Sequence, residues 1–317
     1  MNSFKGDLIV VLGPTASSKT AFAARLAKEM KGEVISADSR QVYKNMDIGT
    51  GKDYKDYIVD GISIPYHLID IHEPGYKYNV YEFQKDFLAV YQDIRARNKL
   101  PVLCGGTGMY IEAVLQGYKL IHIPPDEELR KELQSKSLED LKKILQSYTD
   151  QLHNTTDLTS KKRAVRAIEI SKHYAEYPEE DMSYPSIRAL ILGVKFDRPA
   201  QRRRITARLK SRLENGMIEE AESLMKSGLS KEDLMYYGLE YKYLALYLTG
   251  DLNYEQMFEK LNTAIHQFAK RQMTYFRRMQ KKGLKIHWID GHMTIDEKLQ
   301  RTNRILSEWN IDADNEK

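Results

Sequence analysis

The run Gly13-Pro14-Thr15-Ala16-Ser17-Ser18-Lys19-Thr20 has the spacing of a phosphate-binding loop, G-x-x-x-x-G-K-[ST]. That chemistry needs backbone N–H groups curled around phosphate oxygens at a helix N-terminus. It also needs an ammonium against the diphosphate charge and a hydroxyl for magnesium. Lys19 and Thr20 stand where the last two belong. Ser18 occupies the place of the second glycine. If that position requires φ > 0, serine costs about 1 kcal/mol or more relative to glycine there. A chance match in a turn is the plainer reading, but the run lies between an apolar stretch and a helical pattern, as the motif demands. The loop specifies phosphates without saying what becomes of them.

A second group with chemical potential is Asp38, at the end of another short apolar run, where open parallel sheets place their ligands. Its carboxylate suits a helix cap or a magnesium-positioning role as well as a base. Basic residues gather at 161–166, 198–212 and 270–285, the last with Phe268, Tyr275 and Phe276 interleaved. Charge plus aromatics suits phosphate backbones and unstacked bases, and solvated helix faces would read the same way. The single cysteine, Cys104, sits inside an apolar run and is expected to be a buried structural thiol.

Alternating strands and helices must position these groups. Residues 7–12, 33–37, 66–71 and 100–104 read as strands, with helices over 19–30 and 80–98. From residue 118 the character shifts: 126–173 is rich in Lys, Glu, Leu and Gln and holds no strand-like run. A strand returns at 188–195, basic helices follow to about 282, and a last strand spans 285–290. The expected class is α/β, a P-loop NTPase-like parallel sheet flanked by helices. Residues 1–117 and 188–295 would form the catalytic domain, 118–187 an all-helical insert, and 296–317 a polar C-terminal tail, helical at first and then frayed. The 317 residues, 42% hydrophobic and 30% charged, suit a globular chain, and no apolar run reaches membrane-spanning length. Residues 1–6 lack the zones of a cleavable signal, so a cytoplasmic address is expected. A net charge of +4 is too small to demonstrate a polyanionic partner.

Ile35-Ser36-Ala37-Asp38-Ser39-Arg40-Gln41-Val42-Tyr43 is followed by Met46-Asp47-Ile48-Gly49-Thr50, His67-Leu68-Ile69-Asp70 and Gly105-Gly106-Thr107-Gly108-Met109-Tyr110. Together these closely resemble the tRNA dimethylallyltransferase (tRNA isopentenyltransferase) family, in its bacterial form. The resemblance continues through 163–169, 204–216 and 269–277, in order along nearly the whole chain. It implies transfer of a dimethylallyl group from dimethylallyl diphosphate to the N6 amine of the adenosine beside the anticodon. Adenine's amine is a weak nucleophile, which favours Asp38 as the base that takes its proton. By the same resemblance the phosphate loop holds the donor diphosphate with Mg2+ on Thr20. Lys19, Arg204 and Arg208 would meet the leaving-group charge, although two arginines four apart also suit an ordinary helix surface. Thr107 matches a threonine near the reacting adenosine. The tRNA anticodon stem-loop would be contacted by Asp38, Ser39, Arg40, Gln41 and Thr107, and by Arg130, Lys162, Arg163, Ala164, Val165 and Arg166. The stacked adenosine must be extruded, and Gln41 is placed to hold it through its amide. A monomer is expected. This sequence departs from the family at Ser18, Arg40, Gly51 and loosely over 238–242.

Three other readings use the same residues. A nucleoside or nucleotide kinase accounts for the loop and Asp38 but not for the insert. An adenylate isopentenyltransferase would prenylate free AMP or ATP, with no need of the basic segment at 161–166. A non-catalytic RNA binder would fit a donor site decayed at Ser18.

Overall fold

All five residues of the first strand, β1 (Leu8–Leu12), are fully buried, and they alternate between two cores. Leu8, Val10 and Leu12 pack with Ile35, Leu103 and Ile191; Ile9 and Val11 pack with Val34, Val102 and Leu192. A period-two strand that is apolar on both faces is one covered by helices on both sides. The computed structural model describes residues 4–118, 120–121, 123–148, 160–177 and 184–315.

After β1 come α1 (Lys19–Glu29), β2 (Gly32–Ala37), a 3-10 turn (Tyr54–Tyr57), β3 (Ile58–Val59), β4 (Ile62–Ser63) and β5 (Tyr66–His67). Next are α2 (Val80–Ala96), β6 (Leu100–Gly105) and α3 (Gly108–Leu115), then α4 (Glu127–Gln134), α5 (Leu138–Tyr148) and α6 (Lys161–Glu176). The chain continues with β7 (Ala189–Lys195), α7 (Arg198–Glu214), α8 (Met217–Lys226), α9 (Lys231–Tyr236), α10 (Leu239–Leu248), α11 (Tyr254–Lys281), β8 (Ile286–Asp290) and α12 (Ile295–Asn315). The main sheet runs β5-β2-β6-β1-β7-β8 with every pair parallel, and β3 and β4 form a separate antiparallel hairpin. The expected parallel α/β sheet is therefore present. β1 lies at its middle, so the loop after it opens between the ends of β6 and β7.

Two expectations about elements need correction. Residues 66–71 were expected as one strand, but pairing ends at His67 because Leu68 and Asp70 turn to φ 61° and 56°. That turn lets Asp70 accept hydrogen bonds from Lys52 and Tyr54. The polar tail after residue 295, expected to be helical at first and then frayed, instead stays helical to Asn315 as α12, which buries Leu299, Ile305 and Leu306 in the second core. A helix with one apolar stripe reads as polar by composition while its buried face holds it to the sheet.

The chain divides into two compact units, Met1–Tyr118 with Pro185–Lys317, and Lys119–Tyr184. In the second, α4, α5 and α6 close a small core of Leu133, Leu141, Leu145, Ala164 and Ile168. Residues 119, 122, 149–159 and 178–183 of the expected insert lie outside the described residues. Among the described residues no helix is long and apolar enough to cross a membrane.

Candidate active site

The loop after β1 enters α1 through Ser18, which has φ 58° and ψ 29°. The position thus demands the left-handed conformation that the motif normally reserves for glycine, and Ala16 shares it at φ 60°. Ser18 gains a partner in return: Arg204 on α7 donates from Nη2 to its Oγ at 2.5 Å and from Nε to the Ala16 carbonyl at 3.0 Å. The Arg204 guanidinium also lies 4.3 Å over the Phe196 ring. Gln201, one turn earlier, donates to the Thr15 carbonyl at 2.5 Å. Gln272 on α11 accepts from the Thr15 amide at 2.8 Å and donates to the Gly106 carbonyl at 2.9 Å. One buried amide thereby clamps the phosphate loop to the glycine-rich turn after β6. A Cβ at Gly106 would stand 2.4 Å from the Gln272 amide nitrogen, which is why that turn carries glycine.

Asp38 and Thr107 follow the adjacent strands β2 and β6, whose register pairs Ala37 with Gly105. The Thr107 amide donates to the Ala37 carbonyl at 3.3 Å, and the Thr107 hydroxyl accepts from the Ser39 amide at 3.2 Å. The Thr107 hydroxyl proton remains available to a further acceptor. Asp38 accepts from the Arg40 amide through Oδ1 at 2.9 Å, an arrangement that fixes the carboxylate without neutralising it. Sequence position alone allowed a helix-capping role for Asp38, but no helix follows β2 directly.

These groups meet in one cavity of about 800 Å³. Its walls include Thr15 to Thr20, Asp38 to Gln41, Thr107, Arg204 and Arg208. Of the expected site residues in the larger unit, only Gly13 and Pro14 do not line it. Gln41 reaches the wall with its amide already engaged: it accepts from the Ser36 hydroxyl at 3.0 Å and donates to the Gly51 carbonyl at 3.0 Å. Its place here is to hold the 47–51 loop. Arg40 lies 5.2 Å over the Tyr236 ring. Burial, with Arg208 acting in the same direction, lowers the pKa of Lys19 from its ordinary value. Cys104 is buried as expected, and burial pushes its thiol up to about 12.

Several residues that shape this site were not singled out from the sequence. Glu220 on α8 accepts from three successive amides, Asp47 at 2.8 Å, Ile48 at 2.7 Å and Gly49 at 2.9 Å, and from the Tyr241 hydroxyl at 2.7 Å. Buried Lys52 ties that loop to Asp47, to Asp70 and to the Tyr43 carbonyl. Arg212 and Glu240 also line the cavity. Burial lowers the Arg212 pKa to about 10, with Arg208 adding to the effect, and burial raises that of Glu240. Pairings of this kind join residues far apart in sequence and leave no local pattern.

The residues assigned to tRNA in the second unit divide differently. Glu169, 1% exposed, accepts from Arg130 Nε at 2.7 Å and from Arg166 Nη1 at 2.9 Å. Arg166 also donates to the Ile123 carbonyl at 2.7 Å. Burial opposes the Glu169 charge, but these hydrogen bonds outweigh it and keep its pKa below the ordinary value. Arg130 and Arg166 are therefore structural partners within their own unit. Ala164 is fully buried and Val165, half-buried, packs against the same small core. Helical periodicity turns them inward while Lys162 and Arg163 stay exposed.

A central phosphate loop, a carboxylate and a threonine on neighbouring strand ends, and arginines from a basic helix define a P-loop α/β transferase. Known families agree: the IPP transferase family model matches residues 41–279, and the isopentenyl transferase model matches 6–61. The chain belongs to the IPP transferase family. It is 56% identical to tRNA dimethylallyltransferase 2 of Bacteroides fragilis, with 96% of this chain and 99% of that one covered. It is also 56% identical to tRNA dimethylallyltransferase 1 of Parabacteroides distasonis, covering 95% and 98%. A solved tRNA isopentenylpyrophosphate transferase from Bacillus halodurans is 30% identical, with a TM-score of 0.69 and 96% of both chains covered. A eukaryotic dimethylallyltransferase acting on tRNA shares the fold at a TM-score of 0.77, with 20% identity.

Proposed function

We propose that this chain transfers the dimethylallyl group of dimethylallyl diphosphate to N6 of the adenosine adjacent to the anticodon in tRNA, releasing diphosphate. The observation that carries the reading is the meeting of Asp38, Thr107 and the phosphate loop in one cavity, in a chain of this family. The adenine N6 would form a bond to C1 of the allyl group while the C1–O bond breaks and its electron pair leaves with the diphosphate. Asp38 accepts the N6 proton, and Thr107 orients the base through its free hydroxyl proton. Lys19 and the arginines of α7 meet the charge that grows on the leaving group. For the RNA, the exposed Lys162 and Arg163 supply phosphate contacts that position without reading sequence.

The donor set suits Mg2+. Thr20 lines the cavity and offers a hard oxygen ligand beside the phosphate loop. Among the described residues no cluster of three or more His, Cys, Asp or Glu forms a softer or all-protein metal cage. Magnesium takes few protein ligands alongside phosphate oxygens and water, which fits so sparse a set. When bound, it would neutralise part of the diphosphate charge.

The test is incubation with magnesium, labelled dimethylallyl diphosphate, and either an unmodified anticodon stem-loop RNA or AMP. Label in the RNA alone is expected, with Asp38→Ala reducing transfer about 100-fold or more and leaving RNA affinity intact. Label in AMP alone would give the adenylate reading precedence. Label in neither, with nucleoside-dependent ATP turnover, would make the protein a kinase.

A further inference from the structure

Arg208 and Arg212 stand four apart on α7 and both line the cavity. Their side chains are 30% and 14% exposed, and among the described residues the one carboxylate within ion-pair distance of both is Asp53, at 3.5 Å and 3.6 Å, with buried Glu240 acting on both from further off. Those separations exceed good N–H···O geometry. Correspondingly, Arg208 Nε and Arg212 Nη2 are buried without a hydrogen-bond partner among the described residues. Two like charges at this helical spacing repel, and buried guanidinium donors left unpaired are costly. A fold that keeps both with donors unfilled, in the wall of a cavity, has the geometry of an anion site.

Gly51 supports this reading from the opposite wall. Its φ is +76°, and a Cβ there would lie 2.3 Å from Nη2 of both arginines. The missing side chain makes the space in which the two guanidiniums sit together. Arg204, by contrast, spends its donors on the Ala16 carbonyl and the Ser18 hydroxyl. Of the three arginines of this helix that line the cavity, Arg208 and Arg212 are thus the two with buried, unfilled donors.

We propose that Arg212 is a further donor-site residue, paired with Arg208 to bind the diphosphate, and that Asp53 is the place-holding carboxylate the diphosphate displaces. This rests on the reaction proposed above. Before substrate enters, Asp53 offsets part of the repulsion between the two guanidiniums. Once the diphosphate arrives, its oxygens fill the donors that Asp53 reaches only at long range. The same pair then faces the charge that accumulates when the C1–O bond breaks.

The probe is inorganic pyrophosphate with magnesium, titrated calorimetrically into the full chain, alongside KM for dimethylallyl diphosphate and for RNA. Arg212→Gln is expected to weaken pyrophosphate binding about 10- to 100-fold, the scale of a lost charge-assisted hydrogen bond. KM for the donor should rise with it, and KM for RNA should hold. Asp53→Asn is expected to tighten pyrophosphate binding, a result that a purely structural ion pair does not produce. Should Arg212→Gln fail to fold, Arg212→Lys keeps the charge and stem but loses the fork, and an intermediate weakening is expected. Unchanged pyrophosphate affinity in a folded Arg212 variant overturns the assignment, as does weaker binding in Asp53→Asn. The two readings fail separately. Wild-type protein that binds pyrophosphate but transfers no label sinks the reaction and leaves the arginine test standing. Wild-type transfer with normal binding by Arg212→Gln sinks only the arginine pair.

Discussion

Glu220→Gln asks whether one distant carboxylate builds the wall of the cavity formed by residues 47–51. In the native chain Oε2 accepts from the amides of Asp47 and Ile48, and Oε1 from the amide of Gly49 and the Tyr241 hydroxyl. A carboxylate only accepts, whereas a carboxamide presents NH2 at one of the two positions. Turned one way, it faces two backbone N–H groups with donors. Turned the other, it faces one, and the tyrosine hydroxyl must rotate to accept. Each buried donor left unpaired costs about 1–3 kcal/mol, and loss of the charge weakens the bonds that remain. The loop should lose about 2–4 kcal/mol of local stability, and 2 kcal/mol alone is close to a 30-fold rise in local opening. Amide hydrogen exchange reads this directly. The amides of Asp47, Ile48 and Gly49 should exchange at least 30-fold faster, while Val10 in central β1 changes only with global stability. KM should rise for the donor, because the same loop carries Gly51 beside Arg208 and Arg212. Unchanged protection of the three amides in a folded Glu220→Gln protein would refute the reasoning.

Other perturbations follow from named contacts. Arg166→Ala removes one of two arginines from buried Glu169 and should cost the second unit about 2 kcal/mol; proteolysis within 119–184 and helix content by circular dichroism will show it. Replacing exposed Lys162 and Arg163 together should leave melting unchanged and flatten the salt dependence of tRNA binding by about two charges, and an unaltered slope would remove them from the interface. Hydrogen bonding from Arg97 holds the Glu33 pKa near 2, with His67 contributing in the same direction. Its folded pKa lies below the unfolded value, so its contribution is whole above about pH 4.5 and is lost as pH falls through 2; Glu33→Gln should flatten acid destabilisation across that window. Ser18→Gly relieves a left-handed serine but deletes the acceptor of Arg204, so stability should move by less than about 1 kcal/mol while KM for the donor rises.

The sheet was legible because β1, β2, β6 and β7 are short apolar runs buried on both faces, and such runs between helical patterns have few other uses. The β5 boundary was not. Leu68 and Ile69 extend the apolar run, and only tertiary demand on Asp70, which must turn back to buried Lys52, ends the strand. The start of helix α12 was legible, but not its length or buried face: its apolar residues are spaced along one stripe that composition hides. The β3–β4 hairpin, with two residues a side, is shorter than any window in which alternation can be recognised.

Within the site, legibility tracked whether a residue acts through a local pattern or through a partner elsewhere. The phosphate loop announces itself because its function depends on consecutive backbone conformations, and Ser18 betrayed the same requirement by breaking the pattern. His67-Leu68-Ile69-Asp70 helped carry the resemblance, and in the structure His67 pairs with Glu33 and Asp70 with Lys52 and Tyr54, so both ends brace the scaffold. Arg130 and Arg166 were assigned to tRNA by the resemblance, and the structure shows a second use that no local pattern announced: both pair with buried Glu169. The converse holds for Gln272 and Glu220. Each is one polar residue on a helix, ordinary in its own neighbourhood, and each earns its place by satisfying backbone groups more than a hundred and fifty positions away. Charge alone is therefore a poor guide to which residues of this chain meet a ligand. The better discriminator is whether a cation's hydrogen bonds are already filled. By that measure Arg130 and Arg166 close on Glu169, Arg204 closes on the phosphate loop, and Arg208 and Arg212 are left with donors to give.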